Sequence, residues 1–166
     1  MFEAGDFVVY GNKGVCQIIK VGPVDIPGVS KEKLYYTMTQ VYLKGSTIFT
    51  PVDSDKIVMR KILTKKEADE LINNMQSMEL DWSKDDKERE KEYTEALRTG
   101  DSRTLFKMII ALYRRKEKRM ADGKKATSTD ERFFRAAEDI LYGELAIPLG
   151  ISKEEVRDYI MSCVEN

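Results

Sequence analysis

The hydrophobic period of this chain changes once, near residue 64, and that change limits the folds open to it. Before it, apolar and polar residues alternate in the two-residue rhythm of half-buried strands. After it, apolar residues recur every three or four positions, as on helices with one buried face. Strands followed by a run of helices describe an α+β, two-part chain and argue against an interleaved α/β sheet.

In the first part, five short segments are rich in β-branched and aromatic residues: Asp6–Tyr10, Gly14–Gly22, Lys33–Tyr42, Ser46–Pro51 and Lys56–Met59. Turn chemistry separates them: Gly11-Asn12-Lys13-Gly14, a longer loop from Gly22 to Ser30 containing Pro23, Pro27 and Gly28, and Lys44-Gly45-Ser46 as a tight hairpin. Five such strands in about sixty residues close most easily into a small barrel of the SH3 or Tudor kind. Tyr35, Tyr36, Tyr42 and Phe49 are expected to supply core and cross-strand packing. A barrel of this size keeps one strand edge that a partner can extend.

In the second part, Thr64-Lys-Lys-Glu67 is a capping box ahead of the apolar face Ala68, Leu71, Ile72 and Met75. The signature recurs at Ser128-Thr-Asp-Glu131, before Phe133, Ala137, Ile140 and Leu141, and at Ser152-Lys-Glu-Glu155, before Val156, Tyr159, Ile160 and Cys163. A looser form at Ser83-Lys-Asp-Asp86 opens a charged helix reaching about Thr99. Gly100 breaks it, and Asp101 or Ser102 caps the next. The spacing predicts five helices, with Ile147-Pro-Leu-Gly150 dividing the last two. The boundary is expected between Arg60 and Thr64, giving domains 1–62 and 63–166, with the first helix as a rigid connector.

The best-formed helix is also the most basic. Leu105, Met108, Ile109, Leu112 and Tyr113 share one face, while Arg103 to Lys125 carries nine Lys or Arg against Glu117 and Asp122. The whole chain has a net charge of only -1. A charge run of this kind is often a solvated face, yet solvated helices usually mix signs at i,i+4 spacing. Scarcity of acidic partners makes a phosphate backbone or an acidic protein surface the other counterpart.

Several function classes fall away. The chain has no histidine, and Cys16 and Cys163 stand far apart in apolar surroundings, so structural thiols are expected rather than a zinc site or a Cys-His nucleophile. There is no Gly-rich phosphate loop or nucleophile elbow, which leaves a carboxylate-based enzyme as the one catalytic alternative. We therefore expect a non-enzymatic protein with no metal, cofactor or small-molecule substrate. No apolar run is long enough to span a bilayer, and the N-terminus lacks a signal core; a cytoplasmic location without membrane association is expected.

Trp82 is the one tryptophan, in the mostly polar stretch Met78-Glu-Leu-Asp-Trp-Ser-Lys. Placed just before Ser83, it would staple onto the polar Lys87, a poor partner; packing onto Leu80 or a neighbouring helix is one alternative and functional exposure the other. An exposed aromatic beside cations suits wedging between or stacking on bases, with Lys84, Lys87 and Arg89 contacting phosphates.

Taken in order, Gly5-Asp-Phe-Val-Val-Tyr10 with Gly14, Thr47-Ile-Phe-Thr-Pro51, Asp81-Trp-Ser83, Gly100-Asp101, Leu112-Tyr-Arg-Arg115 and Ile140-Leu-Tyr-Gly-Glu-Leu-Ala146 resemble the CarD, or CdnL-like, family of bacterial transcription regulators. That family shares its N-terminal domain with transcription-repair coupling factors. The resemblance covers nearly the whole chain through the order of its motifs. It implies a Tudor-like RNA polymerase-interaction domain at 1–62 that docks on the polymerase β subunit, and a helical DNA-binding domain at 63–166 on promoter DNA. Trp82 would wedge into the minor groove at the upstream edge of the melted bubble and so stabilise the open complex.

On that resemblance Trp82, Lys84 and Lys87, then Arg114, Arg115, Lys118 and Arg119, are the expected DNA contacts. Thr47, Ile48 and Phe49 are the expected polymerase contacts, with Leu105, Met108, Ile109 and Leu112 as core. The sequence departs from the family in the helix after Trp82: Glu79 to Asp101 holds nine acids against five bases, where relatives are more basic. The alternative is therefore a protein-only adaptor that binds RNA polymerase without touching DNA.

Overall fold

In the computed structural model, residues 1–78 and 81–165 are described, with Val164 and Glu165 described in backbone only. Leu80, which the sequence offers as a neighbour for Trp82, lies outside the described residues.

Strands β1 (Phe7–Tyr10), β2 (Val15–Gly22), β3 (Tyr35–Gln40), β4 (Ile48–Pro51) and β5 (Met59–Lys61) form one five-stranded sheet in the order β4-β3-β2-β1-β5. Every pairing is antiparallel. The expected barrel-forming strands are thus present, with β4 and β5 as its edges. Three details differ from the sequence reading. The fifth strand sits on Met59–Lys61, because Tyr10 and Val9 pair with Met59 and Arg60 and set the register. A 3-10 turn at Gly11–Lys13 makes the first reversal. The third strand stops at Gln40, so a longer connection across 41–47, rather than a tight turn at Lys44-Gly45-Ser46, leads to β4.

Strand β1 is buried on both faces, and its alternation assigns each face. Val8 and Tyr10 join Cys16, Ile18, Tyr36 and Met38 in the barrel's own core. Val9 and its register partner Val15 point the other way, into a core shared with the helices. A sheet with one solvated face would show polar residues at these positions.

The helical half contains five α-helices: α1 (Lys65–Asn73), α2 (Asp86–Thr99), α3 (Ser102–Ala121), α4 (Ser128–Leu149) and α5 (Val156–Glu165). The capping box at Thr64 and Glu67 forms as expected. At α4 the cap is Thr127, which accepts from the amide of Asp130; Ser128 is already helical. Ser152 and Glu155 form their box on a 3-10 turn that runs into α5. Helix α4 passes through Pro148 and ends at Gly150, whose left-handed φ of 68° stops it. In the final turn, Pro148 forgoes only one amide bond.

Instead of acting as a connector, α1 inserts Ala68, Leu71 and Ile72 into the shared core, packing against α4 and α5. That core is built chiefly from α3 and α4, with Leu105, Met108, Leu112, Ala137, Leu141 and Leu145 almost completely enclosed. Tyr113 is the exception to the expected α3 face, at 47% exposed.

The two halves are clamped together. Arg60 of β5 makes a two-pronged pair with Glu144 of α4 at 2.6 and 2.7 Å and donates to the carbonyl of Gly100 at 2.6 Å. Glu144, 0% exposed, also accepts the amide of Leu63 at 2.9 Å. Tyr42 leaves the sheet and bridges the halves instead of packing across strands: its hydroxyl donates to the carbonyl of Gly143 at 2.7 Å. No helix among the described residues is long and apolar enough to cross a membrane.

Candidate nucleic-acid and polymerase interfaces

Helix α3 starts where Asp101 accepts from the amide of Thr104 at 3.0 Å and from its hydroxyl at 2.7 Å. Of the two capping residues the sequence offered, Asp101 is the one used. With Leu105, Met108, Ile109 and Leu112 buried, helical geometry sends Ala111, Arg114, Arg115 and Lys118 to another face, one turn apart. That face meets the segment carrying Trp82.

Trp82 and Ser83 precede the N-cap of α2, which is Asp85 and not Ser83; Asp85 accepts from the amide of Glu88 at 3.0 Å. The side chain of Glu92, one helical step inward, instead accepts the amide of Ser83 at 2.7 Å. Arg89 is only 7% exposed, so it does not stand on the surface beside Lys84 and Lys87, where the sequence expected it. Its guanidinium donates to Asp86 at 2.6 Å and to the carbonyls of Lys84 and Ser83 at 3.3 and 3.4 Å. Arg89 and Glu92 therefore hold the Trp82–Lys84 segment from below.

With the cap moved to Asp85, Trp82 is too far back for a staple onto Lys87. Its ring packs edge-on against Tyr93, 5.0 Å between centroids, and Tyr93 in turn meets Phe133 at 5.4 Å. Trp82 is thus half-buried against the helical core, between the two expected alternatives. Burial raises the Tyr93 hydroxyl above the ordinary tyrosine range, the nearby Arg89 and Arg115 opposing it, so it is a neutral donor at physiological pH.

These groups surround a cavity of about 350 Å3 lined by Trp82, Ser83, Lys84, Arg89, Tyr93, Ala111, Arg114, Arg115 and Lys118. The fold brings five of the seven residues expected at DNA to this one place. Lys84, Arg114 and Lys118 are exposed, with no carboxylate at ion-pair distance among the described residues. Arg115 is half-buried and paired with Asp130 at 3.1 Å. The remaining two are elsewhere: Lys87 is exposed on the acidic first turn of α2, and Arg119 donates to the carbonyl of Lys125 at 2.7 Å.

On the barrel, β4 pairs only with β3 among the described residues, through Phe49 opposite Thr37 and Ile48 opposite Met38. Its outer edge is free to take another strand. Thr47 and Phe49 are exposed, Phe49 at 45%, while Ile48 alternates inward onto the barrel core.

Tyr93 and Arg89 went unrecognised as the support under Trp82. A signal existed: in an otherwise charged helix, Arg89, Tyr93 and Ala96 recur at four- and three-residue steps and are the buried positions of α2. The Arg60–Glu144 clamp left no local signal, since 84 residues separate its partners.

Two family models match the chain. That for the CarD-like/TRCF RID domain matches residues 2–63, and that for the CarD C-terminal domain matches residues 70–161. No curated protein matches the chain. Together the two matches take in the sheet with its free β4 edge and the helices that build the Trp82 cavity. The chain belongs to the CarD family, whose domains carry RNA polymerase interaction and transcription regulation.

Proposed function

We propose that this protein is a non-enzymatic regulator of transcription initiation in the bacterial cytoplasm that stabilises the promoter open complex. A barrel unit at 1–62 binds the RNA polymerase β subunit, and a helical unit at 63–166 contacts promoter DNA at the upstream edge of the bubble. Neither step needs a cofactor or metal. One observation carries the reading: the only tryptophan with Lys84, from the segment before α2, and Arg114 with Lys118, from α3, converge on one cavity, the three cations having no carboxylate at ion-pair distance among the described residues. Cations there neutralise backbone phosphates, with Arg115, Lys87 and Arg119 as further contacts. An aromatic ring leaning into a base step opposes re-annealing. On the barrel, Thr47, Ile48 and Phe49 supply the polymerase edge, the backbone of β4 pairing with a partner strand and Phe49 adding apolar contact. Binding through two sites on one chain raises the effective concentration of each, so neither contact needs to be strong.

The half-buried ring and the acidic α2 favour a second reading, a protein-only adaptor. One experiment separates the two. Open-complex dissociation is timed on a promoter with the parent and with Trp82→Ala, once both are shown to fold and to bind polymerase. The parent is expected to lengthen the lifetime and Trp82→Ala to lose most of that effect. An unchanged lifetime, with polymerase binding abolished by Thr47→Arg plus Phe49→Arg, would select the adaptor.

A further inference from the structure

Of all the described buried side-chain polar atoms, three have no hydrogen-bond partner among the described residues: Trp82 Nε1, Arg89 Nε and Tyr93 Oη. All three belong to residues lining the same cavity. Arg89 is 7% exposed and Tyr93 is 1% exposed, so neither side chain has solvent as a ready substitute. An enclosed donor without a partner is costly, and native structures carry few of them. Three in one place mark a site able to take an acceptor from outside the chain.

The acceptor that suits these donors is anionic by the company they keep. An indole N–H and a guanidinium Nε–H can only donate, and the protonated Tyr93 hydroxyl can donate as well. Lys84, Arg114 and Lys118 line the same cavity with no carboxylate at ion-pair distance among the described residues. Three of the carboxylates nearby are already committed: Asp86 to Arg89, Asp130 to Arg115, and Glu92 to the amide of Ser83. A water molecule would satisfy some of the donors but gain nothing from the three exposed cations beside them. A tetrahedral oxyanion can use both the donors and the cations at once.

We propose that the cavity beneath Trp82 is a binding site for a phosphate-class oxyanion, held by Trp82, Arg89 and Tyr93 as donors and by Lys84, Arg114 and Lys118 as countercharges. The three donors are shielded in this conformation, so the anion reaches them as the Trp82–Lys84 segment, which lies outside any helix or strand, opens and then closes over it. Its phosphate comes either from a free phosphorylated small molecule or from a nucleic-acid backbone. The site is a property of the protein alone and stands whether or not promoter contact is its use.

The single tryptophan makes the site its own reporter. The full-length protein is titrated with sodium tripolyphosphate at constant ionic strength, and separately with a short DNA duplex, while Trp82 emission is followed. Tyr93→Phe, which keeps the ring and removes the orphaned hydroxyl, is the main variant. It is expected to fold with undiminished stability, because it deletes an unsatisfied group. A saturable emission change with tripolyphosphate, weakened roughly tenfold by Tyr93→Phe and by Lys118→Ala, identifies a site open to free phosphorylated ligands. The same pattern with duplex alone supports the site and assigns its phosphate to the nucleic-acid backbone. No saturable change with either, or a change that Tyr93→Phe leaves untouched, overturns the proposal. The open-complex assay fails or succeeds independently, because it reads promoter lifetime and not anion binding.

Discussion

Cys16 lies fully enclosed in the barrel core, while Cys163 is only half-buried on α5, and both are free thiols. Burial pushes the Cys16 thiol up to about 11, with Lys13 pulling weakly the other way. A neutral, enclosed thiol is a poor nucleophile. A thiol reagent at pH 8 is therefore expected to label Cys163 alone in the folded protein, with Cys16 reacting only after denaturation, as peptide mapping would reveal. The same shift has a pH consequence. Because the folded thiol holds its proton more tightly than the unfolded one, its contribution is full below the ordinary thiol value of 9.0 and is lost as pH rises toward about 11. Urea midpoints of the parent should fall across that window more steeply than those of Cys16→Val. Trp82 carries the lesson about legibility at this scale. Its position before a charged helix identified it as unusual, but its depth depended on Tyr93 and Phe133, the latter on a helix fifty residues away in sequence.

The elements follow local rules wherever their ends are polar and exposed. The box at Thr64 is the clearest: the Thr64 amide donates to Glu67 at 3.0 Å and the Glu67 amide to the Thr64 hydroxyl at 3.1 Å. The same backbone bond holds the Glu67 carboxyl below the usual carboxylate range. Asp101 at the head of α3 does comparable duty with one side chain and two donors. Asp101→Ala is expected to cost about 1 kcal/mol of stability, read as a shift in the urea midpoint with an unchanged slope. Where two residues compete for a cap, spacing alone misleads: Asp85 displaces Ser83 and Thr127 displaces Ser128. Strand ends drift for a related reason, since β5 begins where β1 offers partners and not where its own apolar run begins.

At the scale of the molecule, two side chains from the sheet half lock it to the helices. Removing one partner of a buried ion pair strands the other, so Glu144→Ala is expected to lose roughly 3–5 kcal/mol, measured by chemical denaturation. Tyr42→Phe, which deletes only the bond to the Gly143 carbonyl, is expected to lose about 1 kcal/mol. Glycine at 143 is required by the same contact, because a Cβ there would lie 2.8 Å from the Tyr42 ring. Gly100 joins the clamp differently: its left-handed φ of 66° ends α2, and its carbonyl then faces Arg60. By itself the sequence determined the two-part architecture, the number and kind of elements, the buried face of α3 and the family, because period, caps and turn residues act over a few positions. Tertiary structure decided what touches what across the chain: that Arg89 lies under Trp82 and not on the surface, that Lys87 and Arg119 stand away from the cavity, and that Arg60 meets Glu144. Those outcomes depend on helices and strands packing at distances where the intervening chain places no constraint on which side chains meet.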